Sequence, residues 1–171
     1  MERSEKKLAE LGRVLSRGRR HEIDEKIRSL RSEAPFEGAL RMLAFFFDDS
    51  DDEIIKLAIA GLFNDMKESS GRAEVIQSLA SVHKPGSRAM LASSCWQSGL
   101  DYAEYAVTLA ATFMAGDYIT SLECFTVLDT CAKAISDDDR PGIISRLEKE
   151  ISSYDTPKQK LTAELIAILK Q

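Results

Sequence analysis

The stretch Asp48-Asp49-Ser50-Asp51-Asp52-Glu53-Ile54-Ile55-Lys56-Leu57-Ala58-Ile59-Ala60-Gly61-Leu62-Phe63 joins an acidic turn to an apolar stripe, and a different apolar stripe ends immediately before it. Carboxylates at a helix start are favoured by the macrodipole, so one helix must stop and the next begin within a few residues. Similar starts near Gly86, Asp117 and Pro157 are spaced by roughly 30 to 40 residues, the period of stacked helix pairs. This pattern points to an all-α architecture in which each pair covers the apolar flank of the next, with an ordinary helical bundle as the alternative.

Leu8, Leu11, Val14 and Leu15 keep the i, i+3, i+4, i+7 rhythm of one helix face, and Ile23, Ile27 and Leu30 resume it after Gly18. Pro35 is expected to open a third helix that carries Leu40, Leu43, Ala44 and Phe47. With the helix that starts at the acidic turn, segments over 71–82, 86–97, 101–115, 117–135, 140–152 and 157–170 bring the expected number to ten. Ser50 with Glu53, Asp101 with Glu104 and Thr156 with Gln159 have the spacing of capping boxes. Asp137, Asp138 and Asp139 before Pro141 read as another acidic helix start. Links of a few residues make consecutive helices antiparallel neighbours, which predicts five hairpins in a single domain over 1–171, with 1–33 as an N-terminal capping pair. Ala58, Ala60, Gly61, Ala92, Ala106 and Ala110 would let helix axes approach closely.

Asp52-Glu53-Ile54-Ile55-Lys56, then Ala58 and Leu62, resembles the second-helix signature of HEAT repeats: an Asp before the helix, an aliphatic–basic pair, a small Ala and a later Leu. The units at Gly86 and Asp117 keep part of it, with Leu91 and Ala92 in one and Ile119, Leu122 and Leu128 in the other. The resemblance implies a right-handed α-solenoid of about five antiparallel helix pairs, whose second helices line a concave side. Lys56, Asn64, Arg88, Trp96 and Gln97 would then be neighbours on that side. Trp96, the sole tryptophan of the 171 residues, would serve there as a rigid anchor.

Composition narrows the function classes. Net charge is −5, yet 1–33 carry 10 Lys/Arg against 7 Asp/Glu while 34–171 carry 13 against 21. An acidic body disfavours nucleic acid, because phosphate binding draws on clustered Lys and Arg; Arg13, Arg17, Arg19 and Arg20 are diluted by nearby carboxylates. The charged N-terminus lacks the apolar core of a signal peptide, and the run Met42–Phe47 is far shorter than the ~20 residues a membrane span needs. A cytoplasmic protein with no membrane association is expected. Cys95, Cys124 and Cys131 show no CxxC pairing and read as buried thiols.

No chemistry-bearing arrangement stands out. An EF-hand loop beginning at Asp48 would need Gly at its sixth position and Glu at its twelfth, where Glu53 and Ile59 stand. His21 and His83 are remote in sequence and match no zinc or nucleophile motif. Glu123 with Asp129, and Asp101 with Glu104, read as ordinary helix-surface and capping carboxylates. The expectation is a non-enzymatic interaction or scaffold module without metal or cofactor, binding a protein or peptide. The rival expectation is a DNA-acting enzyme resembling the HEAT-like alkylpurine DNA glycosylases, its groove built from Lys56, Lys67, Arg88 and Lys133 with Trp96 and Asp129 or Asp117. A HEAT-like pigment-attachment lyase would share the shape, but no residue points to it. Leu165, Ile166 and Leu169 on the last helix should touch the preceding helix or a second copy, which admits a homodimer.

Overall fold

The computed structural model describes residues 4–33 and 35–171. Among them it forms ten α-helices and no strand: α1 (Glu5–Arg17), α2 (Arg20–Ser32), α3 (Ala39–Asp49), α4 (Glu53–Asn64), α5 (Arg72–Ser81), α6 (Pro85–Gln97), α7 (Ala106–Ala115), α8 (Tyr118–Cys131), α9 (Asp139–Glu150) and α10 (Thr156–Leu169). No helix among the described residues is long and apolar enough to cross a membrane. The expected helices thus form, with shifted ends.

The chain packs as two compact units, the first ending at Gly99 and the second starting at Leu100. In the first unit α1, α3 and α5 pack in one row and α2, α4 and α6 in a second, and each consecutive pair closes between the rows. The buried residues Leu11, Ile27, Leu43, Ile55, Ile59, Phe63, Val75, Leu79 and Leu91 fill the space between. In the second unit α7 packs on α8 and α9, and α10 on α8 and α9, around Leu109, Phe113, Cys124, Leu128, Leu147, Leu165 and Leu169. Leu165 and Leu169 therefore meet helices of their own unit, while Ile166 is half-buried.

Several helix starts differ from the sequence expectation, each because a nearer or better acceptor wins the orphan N–H groups of the first turn. Ser50 does not cap α4: it ends α3, and Asp52 accepts from the N–H groups of Ile54 and Ile55. Asp155, not Thr156, caps α10 by accepting from Lys158 N at 3.1 Å. Before α9 it is Ser136 whose hydroxyl accepts from Asp139 N at 3.1 Å, ahead of the aspartate triplet. Asp101 accepts from Ala103 N at 2.9 Å and opens a 3-10 turn, so α7 proper begins only at Ala106. Pro35 does not open α3. Phe36 is buried first, and Gly38 then turns the chain with φ +87°, a left-handed conformation that favours glycine.

Neither α3 nor α6 has a side-chain cap of its own, and both receive one from another helix. Glu74 on α5 accepts from Gly38 N at 2.5 Å and Arg41 N at 3.3 Å at the start of α3. Asp48, in the last turn of α3, accepts from His83 N at 2.8 Å and Lys84 N at 3.0 Å at the start of α6. Its position opposes the dipole of its own helix but satisfies that of α6. Burial pushes the Asp48 carboxyl up, yet the His83 and Lys84 N–H groups and the Ser87 hydroxyl outweigh it and hold the group below its ordinary 3.8.

Removing this buried carboxylate breaks two part-buried charge-assisted bonds to the start of α6, so Asp48→Ala is expected to cost about 2 kcal/mol, whereas Asp49→Ala stays within about 0.5 kcal/mol, both read from urea denaturation. Because the folded carboxyl titrates low, its contribution is complete above pH 3.8 and is lost as pH falls from there through the depressed value. Asp48→Asn should flatten that acid limb; an unchanged acid dependence refutes the assignment.

Candidate functional site

The five residues singled out in the sequence all lie on α4 and α6, adjacent members of one row in the first unit. Asn64 Nδ2 donates to Gln97 Oε1 at 2.8 Å, and Gln97 Nε2 donates to Ser93 Oγ at 2.6 Å. This chain of amides ties the outer surfaces of the two helices together. Trp96 follows about 100° around α6 from Gln97 and is 40% exposed.

Lys56 and Arg88 do not join that cluster. Lys56 Nζ lies 3.3 Å from Glu53 Oε1 and 5.0 Å from the centroid of the Phe47 ring on α3. Arg88 Nε donates to the Val82 carbonyl, at the end of α5, at 3.3 Å. Both cations are thus drawn back toward the first helices of their pairs. Their positions on α4 and α6 are equivalent, and other side chains meet solvent on the outer part of α4.

Ile54 and Leu57 take that place. The apolar run of α4 is richer than one buried face can use: Ile55, Ile59, Leu62 and Phe63 fill the core, leaving Ile54 57% and Leu57 72% exposed. Leu57 shares its face with Asn64, seven residues on. Toward α2, Arg31 covers the backbone at Gly61, where a Cβ would collide with its Nη2, and Arg31 Nη1 pairs with Asp65 Oδ2 at 3.5 Å. The signal was present in the sequence as an aliphatic excess on α4.

A concavity of about 370 Å³ opens where α2, α3 and α4 end or begin, within the size range of ligand pockets. Leu30, Phe36, Leu40, Leu43, Leu62 and Met66 line it, and Arg31, Glu33, Asp65, Lys67 and Glu68 stand among its other lining residues. None of the five expected residues borders it. Most of its charges are engaged inside the protein: Lys67 Nζ donates to the Ser98 carbonyl at 3.3 Å, and the Ser29 hydroxyl holds the Glu33 carboxyl below its ordinary range with help from Lys26 and Lys7.

In the second unit Asp117 caps α8 by accepting from Thr120 N at 2.8 Å. Lys158 is buried, with Nζ donating to the carbonyls of Met114 at 2.9 Å and Gly116 at 2.7 Å. Burial lowers the Lys158 ammonium's affinity for its proton, against Asp155, Asp117 and Glu150, which favour the charged form. Tyr102 is fully buried and Tyr118 exposed. Cys95, Cys124 and Cys131 are buried thiols; burial first, then Asp101, pushes the Cys131 thiol up to about 11. Such a thiol is not a nucleophile at neutral pH. Among the described residues no three His, Cys, Asp or Glu side chains gather as a metal site would require.

Because the sole tryptophan is two-fifths exposed, its fluorescence should be red-shifted and readily quenched by acrylamide in the folded protein. A blue-shifted, protected emission would contradict the placement of Trp96.

No family model matches the chain, and no curated protein or solved structure matches it.

Proposed function

We propose that the chain is a non-enzymatic interaction module of HEAT-like helical repeats that holds a protein or peptide partner on the surface of its second helices, the concave side in the family it resembles. The observation that carries this reading is where large apolar side chains meet solvent. In the first unit Ile54 and Leu57 on α4 and Trp96 on α6 are exposed, against Phe45 on α3; in the second, taken by itself, Tyr118, Ile119 and Leu122 on α8 are exposed, against Val107 on α7. Exposed apolar residues concentrated on one set of elements mark interaction surfaces, and a Trp among them is the residue type most enriched at binding hot spots. The two-row packing inside each unit agrees with stacked helix pairs.

The DNA-acting alternative draws no support from the cations it would need. In the first unit Lys56, Lys67 and Arg88 are held by Glu53, the Ser98 carbonyl and the Val82 carbonyl, and a phosphate would have to displace each of those contacts.

The test compares proteins retained from a native lysate by the wild type with those retained by Leu57→Glu and by Trp96→Ala. Both sites are exposed, so folding stability should change by less than about 0.5 kcal/mol for Leu57→Glu while retained partners are lost. Identical retention by all three proteins, or turnover of a small molecule by the wild type, overturns the reading.

A further inference from the structure

A second concavity, of about 300 Å³, opens on the first-helix row of the first unit, where the start of α3 meets the first turns of α5. Its volume is at the lower end of the range of ligand pockets. Glu37, Gly38, Arg41, Ala73, Glu74 and Gln77 border it. No large apolar side chain stands in this wall: Gly38 and Ala73 leave the space open, and the other four bring two carboxylates, a guanidinium and an amide.

These charges are not spent on one another. Glu74 is only 7% exposed and accepts from Gly38 N at 2.5 Å and Arg41 N at 3.3 Å. Those N–H groups and the positive end of α3 offset part of its charge, but among the described residues no Lys or Arg side chain pairs with it. Carboxylates buried this far are ordinarily paired with a cation, and each Glu74 oxygen, accepting one bond, keeps a further acceptor site. Arg41 and Glu37 are exposed, and among the described residues neither side chain forms an ion pair.

The wall thus rejects a ligand of one sign. A simple cation would meet Arg41, and a simple anion would meet Glu37 and Glu74, whereas a molecule carrying both charges finds a complement for each. The two charges of that molecule must be close together, because Arg41 N itself lies 3.3 Å from Glu74 Oε2. Ammonium and carboxylate on a single α-carbon meet that requirement, and the lack of large apolar side chains in the wall favours a small or polar side chain on the ligand.

We propose that this concavity binds a free α-amino acid, its ammonium facing Glu74 and Glu37 and its carboxylate taking the guanidinium fork of Arg41. The site lies on the row of first helices and uses no residue of the surface assigned to the second helices, so it stands or falls apart from that surface.

The test is an NMR titration of the full chain with glycine, L-serine and L-glutamine, each compared with its N-acetyl derivative, which lacks the ammonium, and its carboxamide, which lacks the carboxylate. At least one free amino acid should bind, and both of its derivatives should bind about tenfold more weakly or worse. Arg41→Gln should weaken binding about tenfold, Arg41→Lys should recover part of that loss, and Glu37→Gln should weaken binding several-fold. Both side chains are exposed, so circular dichroism of these variants should match the wild type; Glu74, which also caps α3, is left intact. Leu57→Glu, on the other surface, should change nothing. The proposal is overturned by no binding of any of the three at about 10 mM, by equal binding of the derivatives, or by unchanged affinity in Arg41→Gln.

Discussion

The structure depends on charged side chains that close the ends of helices far from them in sequence. Aliphatic stripes such as Leu40–Leu43–Phe47 against Val75–Leu79 exclude water, but dispersion and burial are weakly directional, and alone they tolerate one helix sliding along another. Glu74 on the first turn of α3 and Asp48 on the first turn of α6 remove that freedom. Each carboxylate accepts two backbone N–H groups, and a slide by one residue would break those part-buried bonds, at a cost of about 1 kcal/mol each. Lys158 does the converse in the second unit, placing an ammonium on the carbonyls where α7 ends. Burial discourages its charge, but two carbonyls and the face of Tyr154, 4.4 Å away, supply what water would have given.

These contacts also explain which parts of the fold were legible in the sequence. Helix number and approximate extent follow from periodicity, since an apolar residue every three or four positions has one economical use in an all-helical chain. The caps were less legible because neighbouring residues compete for the same N–H groups. Ser50 and Asp52 both stand before α4, Thr156 and Asp155 both before α10, and geometry chose the aspartate each time. Pro35 satisfies the rule for a first helical residue, but burying Phe36 and turning at Gly38 takes precedence. Asp48, Glu74 and Lys158 could not be read at all. A charged residue on a helix is ordinarily solvated, and nothing local distinguishes one that reaches another helix some 35 or more residues away.

The five candidate residues all fall on α4 and α6, and the structure brings only some of them together. Asn64 and Gln97 meet, and Trp96 is exposed beside them. Lys56 and Arg88 lie apart from that pair because a family-like signature fixes the position of a cation on a helix but not the direction in which its long side chain lies. Lys56 lies over Phe47, where its methylenes cover ring surface while the ammonium stays near Glu53. Ile54 and Leu57 were absorbed into a single stripe when the run from Ile54 to Phe63 was counted as one face. A helix of this length buries about one side, and an aliphatic surplus on it must reach solvent.

That surplus carries a cost that bears on function. Exposed Leu57, Ile54 and Ile119 gain nothing for folding by being aliphatic, and in a concentrated solution they favour self-association. On α4 the apolar residues follow Asp49, Asp51, Asp52 and Glu53; on α8 they are accompanied by Glu123 and Asp129. Carboxylates at those positions impose repulsion between like copies, which share the same acidic surroundings, without weakening contact with a partner of opposite charge. A surface meant only to stay soluble would replace the leucines and isoleucines with polar residues at no loss of core packing. In the proposed reading, their place near acidic residues would keep apolar contact area for a partner while disfavouring association with another copy of the chain.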